Sequence, residues 1–558
     1  MASTDFNKTL VVDSRIANLT SSINYGVYKG ASTVLTQRYK AVSSSVNAHV
    51  FNIAVPSQET CVDRNIMWEA DIVLKIRFAA VPAAGAFFQY GKDTALCQFP
   101  LNSLINNAQC SINNASISQD MAICLPALKR LMSVSDMEYL EDTTPTLPDT
   151  YFEYSDGAGN YNVLGGIKDN KSPNFKPRGA WLISGVFTDS ACSVPVLGGG
   201  TNQDLYIRYK VSEPLMFAPW TFGNPQTNSS ALYGLSNLSF NFQMSSDGGR
   251  CLKTSFAAID NVSVVRYENS ELTLTYLTMH PEQLLNSKCV SPYYSLDFQI
   301  TPLPALNAAG KITVMSNSIQ LNSLFDQVIM YIRRPLSSVT CKTSDSFYKI
   351  NRVNITCGTR TGLCSNLDTY GLYRASKKNG LNMSWHEFNG YSSISTNGTP
   401  YIPTKAPMIG SLVVLDLVND IGVEQSYFAP GSLTNTNFLV QMEIENQSAV
   451  NDTPELVILF KNSGVLVTEK GQANVFQGIL TKEDVLSVSD QEPVSTADIH
   501  RMIGSGFLDK IKSVSSKVLP VVKKGLAACD NPNSQKAANM LDSLGYGKSG
   551  GKLSKRLM

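Results

Sequence analysis

Side chains that perform acid–base or metal chemistry are sparse in this sequence. Its four histidines lie far apart in the chain: His49, His280, His386 and His500. No pair of them has the spacing of a metal-binding motif. Adjacent carboxylates such as those of Glu141 and Asp142 have no feature that would place them across a cleft, as glycosidic chemistry requires. The sequence therefore predicts no catalytic residues, no metal site and no cofactor.

Glycine-rich segments offer two further candidates for catalytic motifs. The segment Gly547–Gly551 matches the GxSxG pattern of hydrolases, which requires a strand before the serine and a helix after it. This tail segment has neither pattern, so we attribute the match to chance. The segment Gly198–Gly200 is typical of a flexible hairpin connection, and the sequence has no GxxxxGK[ST] phosphate loop. The protein is therefore predicted not to be an enzyme.

The amount and distribution of charge point to a structural role. Charged residues make up only 16% of the 558 residues, against roughly 25% in typical soluble domains. Two explanations stay open: a β protein rich in Ser, Thr and Asn, or a surface buried against other subunits. Residues 501–558 have a charge balance of +8, whereas the rest of the chain has a balance of −7. This asymmetry indicates a tail that meets nucleic acid or a membrane.

Cysteine usage and the N-terminus bear on the compartment. The eleven cysteines are irregularly spaced, and no CxxC pair indicates a zinc ribbon. Free, buried thiols in a reducing compartment are the simplest interpretation. The N-terminus lacks the basic and apolar run of a signal peptide, and no stretch approaches ~18 apolar residues. We expect neither a signal peptide nor a transmembrane helix.

Alternation of apolar and polar residues dominates the chain and predicts half-buried β-strands. In Asp71–Phe78, for example, Ile72 and Leu74 alternate with polar residues. Further alternating runs lie at Leu205–Val211, Leu238–Met244, Leu272–Tyr276, Val328–Ile332, Phe438–Ile444 and Leu456–Phe460. Helical periodicity is scarce before residue 500, and it predicts short helices at Leu125–Met132, Leu367–Lys377 and Thr481–Val488.

The order of these elements occurs twice along the chain. A strand at Ile105–Ile112 is followed by a short helix, a strand, a Phe-Ala-Pro segment ending at Pro219, and two strands. A strand at Ile350–Cys357 is followed by the same series, with its Phe-Ala-Pro segment ending at Pro430. Two β domains can share such patterns without duplication, but we favour duplication. The sequence thus predicts two β-sandwiches in tandem.

Four segments carry a resemblance to a known family. They are Asn24–Ser32, Phe51–Ser57 with the following Val62–Asn65, the paired Phe-Ala-Pro segments, and the basic, glycine-rich Gly545–Lys552. Together they resemble the double jelly-roll major capsid proteins of the adenovirus-related lineage, as found in virophages, polinton-like viruses and adintoviruses. The resemblance implies two eight-stranded jelly rolls, both roughly perpendicular to a capsid shell, with three copies in a pseudo-hexagonal capsomer.

The resemblance also suggests a division of the chain. An N-terminal arm would cover residues 1–45, a first jelly roll 46–284, a second jelly roll 285–497, and a basic amphipathic tail 498–558. The polar segments Asp142–Pro195 and Lys377–Pro407 have the composition of outer or intersubunit loops. The predicted fold class is all-β, with a short helical tail.

The tail contains a predicted amphipathic helix. Its apolar residues recur at helical spacing: Phe507, Leu508, Ile511, Val514, Val518, Leu519 and Val522. Lysines lie between them: Lys510, Lys512, Lys517, Lys523 and Lys524. Pro520 should kink or end this helix. A basic amphipathic helix suits a membrane surface or an acidic partner such as DNA, and an ordinary helix docked on the inner face of the shell is the alternative.

A cleavage motif precedes the tail helix. The segment Met502-Ile503-Gly504-Ser505-Gly506 resembles the recognition pattern of adenovirus-type cysteine proteases, with cleavage between Ser505 and Gly506. Leu197–Gly200 satisfies a variant of the pattern, so chance matches occur. Position favours the match at Met502, since it lies at the junction of body and tail, where an exposed segment is most easily cut.

The sequence therefore predicts a major capsid protein of an icosahedral DNA virus. It would assemble with itself as a homotrimer and a capsomer lattice, and with penton and minor capsid proteins. A viral cysteine protease and, through the tail, viral DNA or an inner membrane are further expected partners. The protein would be made in the host cytoplasm and reside in the virion. A tandem β-sandwich adhesin or lectin is the alternative, since fold does not fix function.

Overall fold

The computed structural model describes residues 31–81, 94–133, 137, 149–153, 182–196, 203–220, 231–279, 288–396, 399–422 and 431–477. β-strands predominate and form two similar sandwiches, one after the other along the chain. Each of the predicted strands is present, as are the two predicted helices within the described residues. The predicted helix Thr481–Val488 and the Phe-Ala-Pro segment ending at Pro430 lie outside them.

Within the described residues, the first sandwich has thirteen strands and two helices. The strands are β1 (Thr33–Lys40), β2 (Ser43–Ser44), β3 (Ala48–Ala54), β4 (Cys61–Val62), β5 (Met67–Phe78), β6 (Thr94–Leu96), β7 (Ile105–Ile112), β8 (Ala115–Asp120), β9 (Leu182–Phe187), β10 (Asp204–Pro214), β11 (Asn237–Met244), β12 (Leu252–Thr254) and β13 (Ile259–Thr278). The helices are α1 (Pro100–Leu104) and α2 (Met121–Leu131), and Gly248–Arg250 form a 3-10 turn.

The described part of the second sandwich has twelve strands and two helices. The strands are β14 (Cys289–Pro302), β15 (Lys311–Met315), β16 (Ile319–Ser323), β17 (Gln327–Arg333), β18 (Lys349–Cys357), β19 (Arg360–Leu363), β20 (Tyr391–Thr396), β21 (Thr399–Pro407), β22 (Leu412–Asp416), β23 (Leu433–Glu445), β24 (Glu455–Glu469) and β25 (Gln472–Gln477). The helices are α3 (Thr369–Lys378) and α4 (Trp385–Asn389), with a 3-10 turn at Leu336–Ser338 and a π-helical turn at Leu417–Ile421.

Both sandwiches have the same topology. The sheet order β1-β13-β5-β10, here called the β5 sheet, corresponds to β14-β24-β17-β22, the β17 sheet. The facing order β3-β11-β7-β8 corresponds to β15-β23-β18-β19, with β15 and β16 both paired to β23 as one interrupted strand. The helix is repeated as well, since α2 follows β8 and α3 follows β19. Two tandem eight-stranded jelly rolls, as predicted, are confirmed.

Burial follows the pleat of the strands in the first jelly roll. In β5 the side chains of Trp68, Ile72, Ile76 and Phe78 are buried between the two sheets, whereas Arg77 on the opposite face is exposed. This is the alternation expected when one face of a sheet meets the core and the other meets solvent. Ten of the eleven cysteines lie in described residues, all as free thiols and all buried except Cys357. Among the described helices, none has the length and hydropathy needed to cross a bilayer.

Two predicted parts of the chain need correction. Strand β1 lies within the predicted arm, residues 1–45, but pairs with β13 from Thr33 to Lys40 and so belongs to the first jelly roll. The segment Lys377–Pro407 was predicted to be loop, yet it contains α4 and the β20–β21 hairpin. Helix α4 forms because Ser384 and Glu387 make a reciprocal capping box at its start. The predicted boundary at residues 284–285 lies outside the described residues.

Candidate functional site: the junction between the jelly rolls

Helix α2 lies between the two jelly rolls and contributes to the core of each. Its N-cap, Asp120, accepts a hydrogen bond of 3.2 Å from the backbone N–H of Ile123. Met121 and Leu125 pack in the first core. Other residues of the same helix pack in the second core: Ile123, Cys124, Ala127 and Leu128. The helix therefore joins the two jelly rolls through apolar burial on both of its sides.

The second jelly roll receives α2 on a sheet face that is apolar. In β17, every residue from Val328 to Arg333 is buried, so neither face of this strand meets solvent. On the face directed away from the other sheet of the second jelly roll, Tyr331 donates a hydrogen bond of 2.5 Å to the carbonyl oxygen of Ile123. On the same face, Arg333 donates one of 2.9 Å to the carbonyl oxygen of Ala122. The outward face of the β17 sheet thus contacts the neighbouring jelly roll. The corresponding face of the β5 sheet includes exposed residues such as Arg77.

The end of α2 is held by the second jelly roll too. The backbone N–H and side-chain amide of Asn382 donate to the carbonyl oxygens of Arg130 and Met132, at 2.7 and 2.8 Å. Carbonyl groups in the last turn of a helix have no partner within the helix. Asn382 therefore satisfies groups that burial between the jelly rolls would otherwise leave unpaired.

A buried ion pair crosses the junction beside the helix. The Lys129 ammonium lies 3.0 Å from a carboxylate oxygen of Asp345, and the Lys129 side chain is only 5% exposed. Burial disfavours the charge on Asp345, but the positive charges of Lys129 and, from farther away, Lys253 outweigh this effect and hold the pKa of Asp345 well below its usual range. The same pair raises the pKa of Lys129 against the opposing effect of burial. Both groups are charged at neutral pH, and each stabilises the other.

The two jelly rolls point in the same direction. We call the end where β5 and β17 finish the upper end, and the end where β13 and β24 finish the lower end; Phe78 pairs with the first residue of β13, and Arg333 with the first residue of β24. At the upper end, the N–H of Thr254 donates to the carbonyl oxygen of Cys341 at 2.8 Å.

Contacts at the lower end complete this arrangement. The N–H of Ala473 in β25 donates to the side chain of Asn114 at 2.8 Å, and the N–H of Gly471 donates to the carbonyl oxygen of Gly234 at 3.1 Å. The upper ends of the two jelly rolls contact each other, and so do their lower ends. The jelly rolls therefore lie side by side and point in the same direction.

Helix α3 is the counterpart of α2 in the second jelly roll, but far fewer of its side chains are buried. Only Leu372 and Ser376 are buried, and Ser376 accepts a hydrogen bond from the N–H of Val414 in the edge strand β22. Tyr370 is 53% exposed. It lies 5.3 Å from the ring of Trp385, which in turn lies 5.4 Å from the ring of Tyr373. We call these three side chains the aromatic surface.

Comparison with protein families decides what this architecture is. Residues 4–285 match the model described as the first domain of the Sputnik virophage major capsid protein, which covers half of the chain. Residues 299–464 match the C-terminal domain of the major capsid protein V20. The chain belongs to the Sputnik virophage major capsid protein family. It is a virophage major capsid protein and a component of the virion. This membership supports the capsid interpretation and not the adhesin or lectin alternative.

Individual relatives agree with the family match. The putative capsid protein V20 of the Sputnik virophage is 26% identical over 562 residues, which span 94% of this chain and 91% of the relative. The capsid structure of the Sputnik virophage matches with a TM-score of 0.78 and 22% identity, over 90% of this chain and 99% of the other. The mavirus major capsid protein matches with a TM-score of 0.73 and 13% identity, over 89% and 100%.

The structure does not describe the site residues predicted from the sequence. The cleavage motif Met502–Gly506 and the basic residues of the tail are outside the described residues. The junction of this capsid protein was missed by the sequence analysis, although a signal for it exists. The runs Val328–Ile332 and Leu456–Phe460 are apolar at every position, which indicates strands buried on both faces rather than half-buried ones.

Proposed function

We propose that the capsid protein assembles as a homotrimer whose six jelly rolls form a pseudo-hexagonal capsomer. One observation carries this proposal: α2 is buried between the two jelly rolls of the chain, whereas its counterpart α3 buries only Leu372 and Ser376. In a closed ring of similar units, each unit meets the next through the same kind of contact. A ring of six jelly rolls has six contacts between neighbours. One contact lies inside each of the three chains, so the other three must lie between chains.

The repeated topology identifies the two surfaces that meet between copies. Inside the chain, α2 of the first jelly roll covers the outward face of the β17 sheet. Between copies, α3 of the second jelly roll would cover the outward face of the β5 sheet of the next copy. That face carries a small apolar cluster outside both cores, in which Tyr206 and Val265 pack on Val73 and Phe187. Aromatic side chains such as those of Tyr370 and Trp385 suit the centre of a protein interface.

Light scattering on the full-length chain after size-exclusion chromatography tests this proposal. We expect a mass three times the 60.8 kDa of one chain. Replacing both Tyr370 and Trp385 with Ser should release monomers, while the circular dichroism spectrum stays that of the wild type. Val450→Ser is a control, because Val450 is 55% exposed, much like Tyr370, but lies between β23 and β24. A wild-type chain that stays monomeric at high concentration contradicts the trimer.

The tail gives the capsomer an orientation in this proposal. The chain enters the first jelly roll at the lower end, where Thr33 pairs with Thr278. Strand β25 pairs with Gly464–Glu469 in the lower part of β24, so the chain continues toward the tail from the lower half. We therefore assign the lower end to the capsid interior, where the basic tail can contact DNA or an inner membrane. Such contacts weaken steeply with added salt.

We further propose that a viral cysteine protease removes the tail between Ser505 and Gly506. The large aliphatic Met502 and the small Gly504 supply the recognition pattern, and cleavage would release the amphipathic segment that begins at Phe507. Intact-mass spectrometry of mature particles tests this step: a subunit ending at Ser505 supports it, and a chain ending at Met558 overturns it. Gly504→Val should block the cut, because a β-branched side chain would not fit a groove shaped for glycine.

The remaining roles proposed for the protein are structural. Capsomers would contact penton and minor capsid proteins in the lattice, after synthesis in the host cytoplasm. The protein would have no enzymatic activity, in keeping with a family of structural proteins. Co-purification of the capsomer with penton protein from infected cells tests the lattice contact. The absence of penton protein from all assembled particles would contradict this contact.

A further inference from the structure

A cavity of about 60 Å³ lies at the upper end of the junction, between the jelly rolls. Six charged side chains line it, five of them cationic: Lys129, Arg250, Lys253, Arg333, Arg334 and Asp345. The first three, Lys129, Arg250 and Lys253, come from the first jelly roll, and the other three come from the second. The cavity therefore combines positive charge from both jelly rolls.

Part of this positive charge is balanced by carboxylates. Lys129 pairs with Asp345 at 3.0 Å, and Arg333 pairs with Glu455 at 2.8 Å. Arg334 pairs with Asp452 and, at 2.6 Å, with Glu153. The single carboxylate in the lining is thus already held by a lysine. One nitrogen of Arg334, Nη1, is buried and makes no hydrogen bond in the described part of the chain.

Two of the cations lack a carboxylate partner. Lys253 is only 1% exposed, and its ammonium has a single contact of 3.5 Å, to the carbonyl oxygen of Thr340. Arg250 donates to Asn106 at 2.5 Å and to the carbonyl oxygen of Ile105 at 3.1 Å, both neutral groups. Neither has a carboxylate oxygen within 4.0 Å among the residues that the structure describes. Lys253 is buried and Arg250 is half-buried, and the carboxylates of Asp345 and Asp247 act on them only from beyond 4.0 Å. An anion in the cavity would give both cations a counter-charge at hydrogen-bond distance.

The size of the cavity suits a small oxyanion. One water-sized group occupies roughly 10–15 Å³ of such a volume, so the cavity holds about four or five such groups. A tetrahedral phosphate or sulfate has four oxygens around a central atom. Hydroxyl groups of Ser103, Thr343 and Ser344 also line the cavity and can donate hydrogen bonds to these oxygens.

We propose that this cavity binds one tetrahedral oxyanion, phosphate or sulfate, which bridges the two jelly rolls. Lys253 and Arg250 hold the anion from the first jelly roll, and Nη1 of Arg334 holds it from the second. The anion links the jelly rolls at the upper end, next to the junction that α2 forms. Its binding does not depend on trimer formation, because both sets of ligands belong to one chain.

Isothermal titration calorimetry and thermal unfolding of the full-length chain test the proposal. The probes are sodium phosphate and sodium sulfate, each compared with sodium chloride at equal ionic strength. We expect one site per chain for at least one oxyanion, and a saturable rise in melting temperature with that oxyanion alone. Lys253→Met should weaken binding by on the order of tenfold or more, since one charge-assisted hydrogen bond is lost. Lys40→Met, at a lysine whose side chain is 85% exposed, should bind like the wild type.

Three results would overturn the proposal: no oxyanion heat above that of chloride, a melting temperature that follows ionic strength alone, or unchanged binding in Lys253→Met. If Lys253→Met does not fold, Arg250→Met takes its place, with the same expected loss. A preference for phosphate or for sulfate identifies the anion.

Discussion

The guanidinium of Arg333 donates a hydrogen bond of 2.9 Å to the carbonyl oxygen of Ala122, across the boundary between the jelly rolls. In an α-helix this carbonyl would accept from the N–H four residues later, but that residue is Pro126, which has none. The second jelly roll thus supplies a donor that the helix of the first cannot supply. The proline inside α2 is tolerated because the two jelly rolls are packed together.

Arg333→Met should therefore destabilise the protein, by about 3 kcal/mol, since both Ala122 and Glu455 lose a buried partner. In a Pro126→Ala background the cost should fall by about 1 kcal/mol, because the introduced alanine has a backbone N–H that donates to Ala122 instead. The loss of the Glu455 ion pair is common to both backgrounds and cancels in the double-mutant cycle. Urea unfolding of the four proteins measures the coupling, and an equal cost in both backgrounds contradicts the role of Pro126.

The ion pair between Lys129 and Asp345 predicts a dependence of stability on pH. The pKa of Asp345 is lowered in the folded state, so its contribution is present above the unfolded pKa of about 3.9 and is lost as pH falls toward the folded value. Asp345→Asn should cost roughly 3 kcal/mol at pH 7, the low end for a buried pair, because the Asp345 side chain is 31% exposed. The difference in free energy of unfolding between this variant and the wild type should become smaller below about pH 4. A gap that stays constant down to pH 3 would count against the ion pair.

Burial of His49 predicts a second pH effect at milder acidity. Its ring is fully buried between Trp68 and Tyr267, and burial lowers its pKa to about 4. The unfolded chain binds a proton near pH 6.5, so stability falls as pH drops from about 6.5 to about 4, by roughly 3 kcal/mol in all. In His49→Gln this decline should be absent. Chemical unfolding at pH 7 and pH 5 tests the prediction, which fails if both proteins lose the same stability.

Gly410 and Gly380 form a matched pair for testing a close backbone contact. Both have a φ of +99°, a conformation that L-residues rarely adopt. A Cβ at Gly410 would lie 2.0 Å from the carbonyl oxygen of Phe347, whereas one at Gly380 would meet no atom within 4 Å. Gly380→Ala should cost about 1–2 kcal/mol from backbone strain alone. Gly410→Ala should cost at least several kcal/mol or prevent folding, and equal melting temperatures for the two variants would contradict the contact.

The strands can be predicted well from the sequence because alternation is a local property. Asp71–Phe78 reads as a half-buried strand without reference to the rest of the chain, and β5 has that burial. Strand β17 is different, because Tyr331 and Arg333 on its second face are buried by a helix about 200 residues away in sequence. A half-buried pattern was predicted there, and the continuous apolar run that argued for burial on both faces was overlooked.

The junction itself could not be predicted from local patterns. Lys129 and Asp345 are separated by 216 residues. The sequence around each residue does not indicate that the two form a pair. Helix α2 was predicted at Leu125–Met132, but it begins at Met121, since the cap by Asp120 and the compensation for Pro126 were not recognised. Resemblance to a family supplied the arrangement of the two jelly rolls, which periodicity alone did not.

Cryo-electron microscopy of the purified full-length chain would show directly whether the jelly rolls form the proposed ring. We expect a particle of three chains with six upright jelly rolls in a ring. In that ring, α2 should lie within each chain and α3 should lie against the β5 sheet of the next chain, with Tyr370 and Trp385 buried between copies. Monomers alone, or a trimer in which α3 and the aromatic surface face solvent, would contradict it.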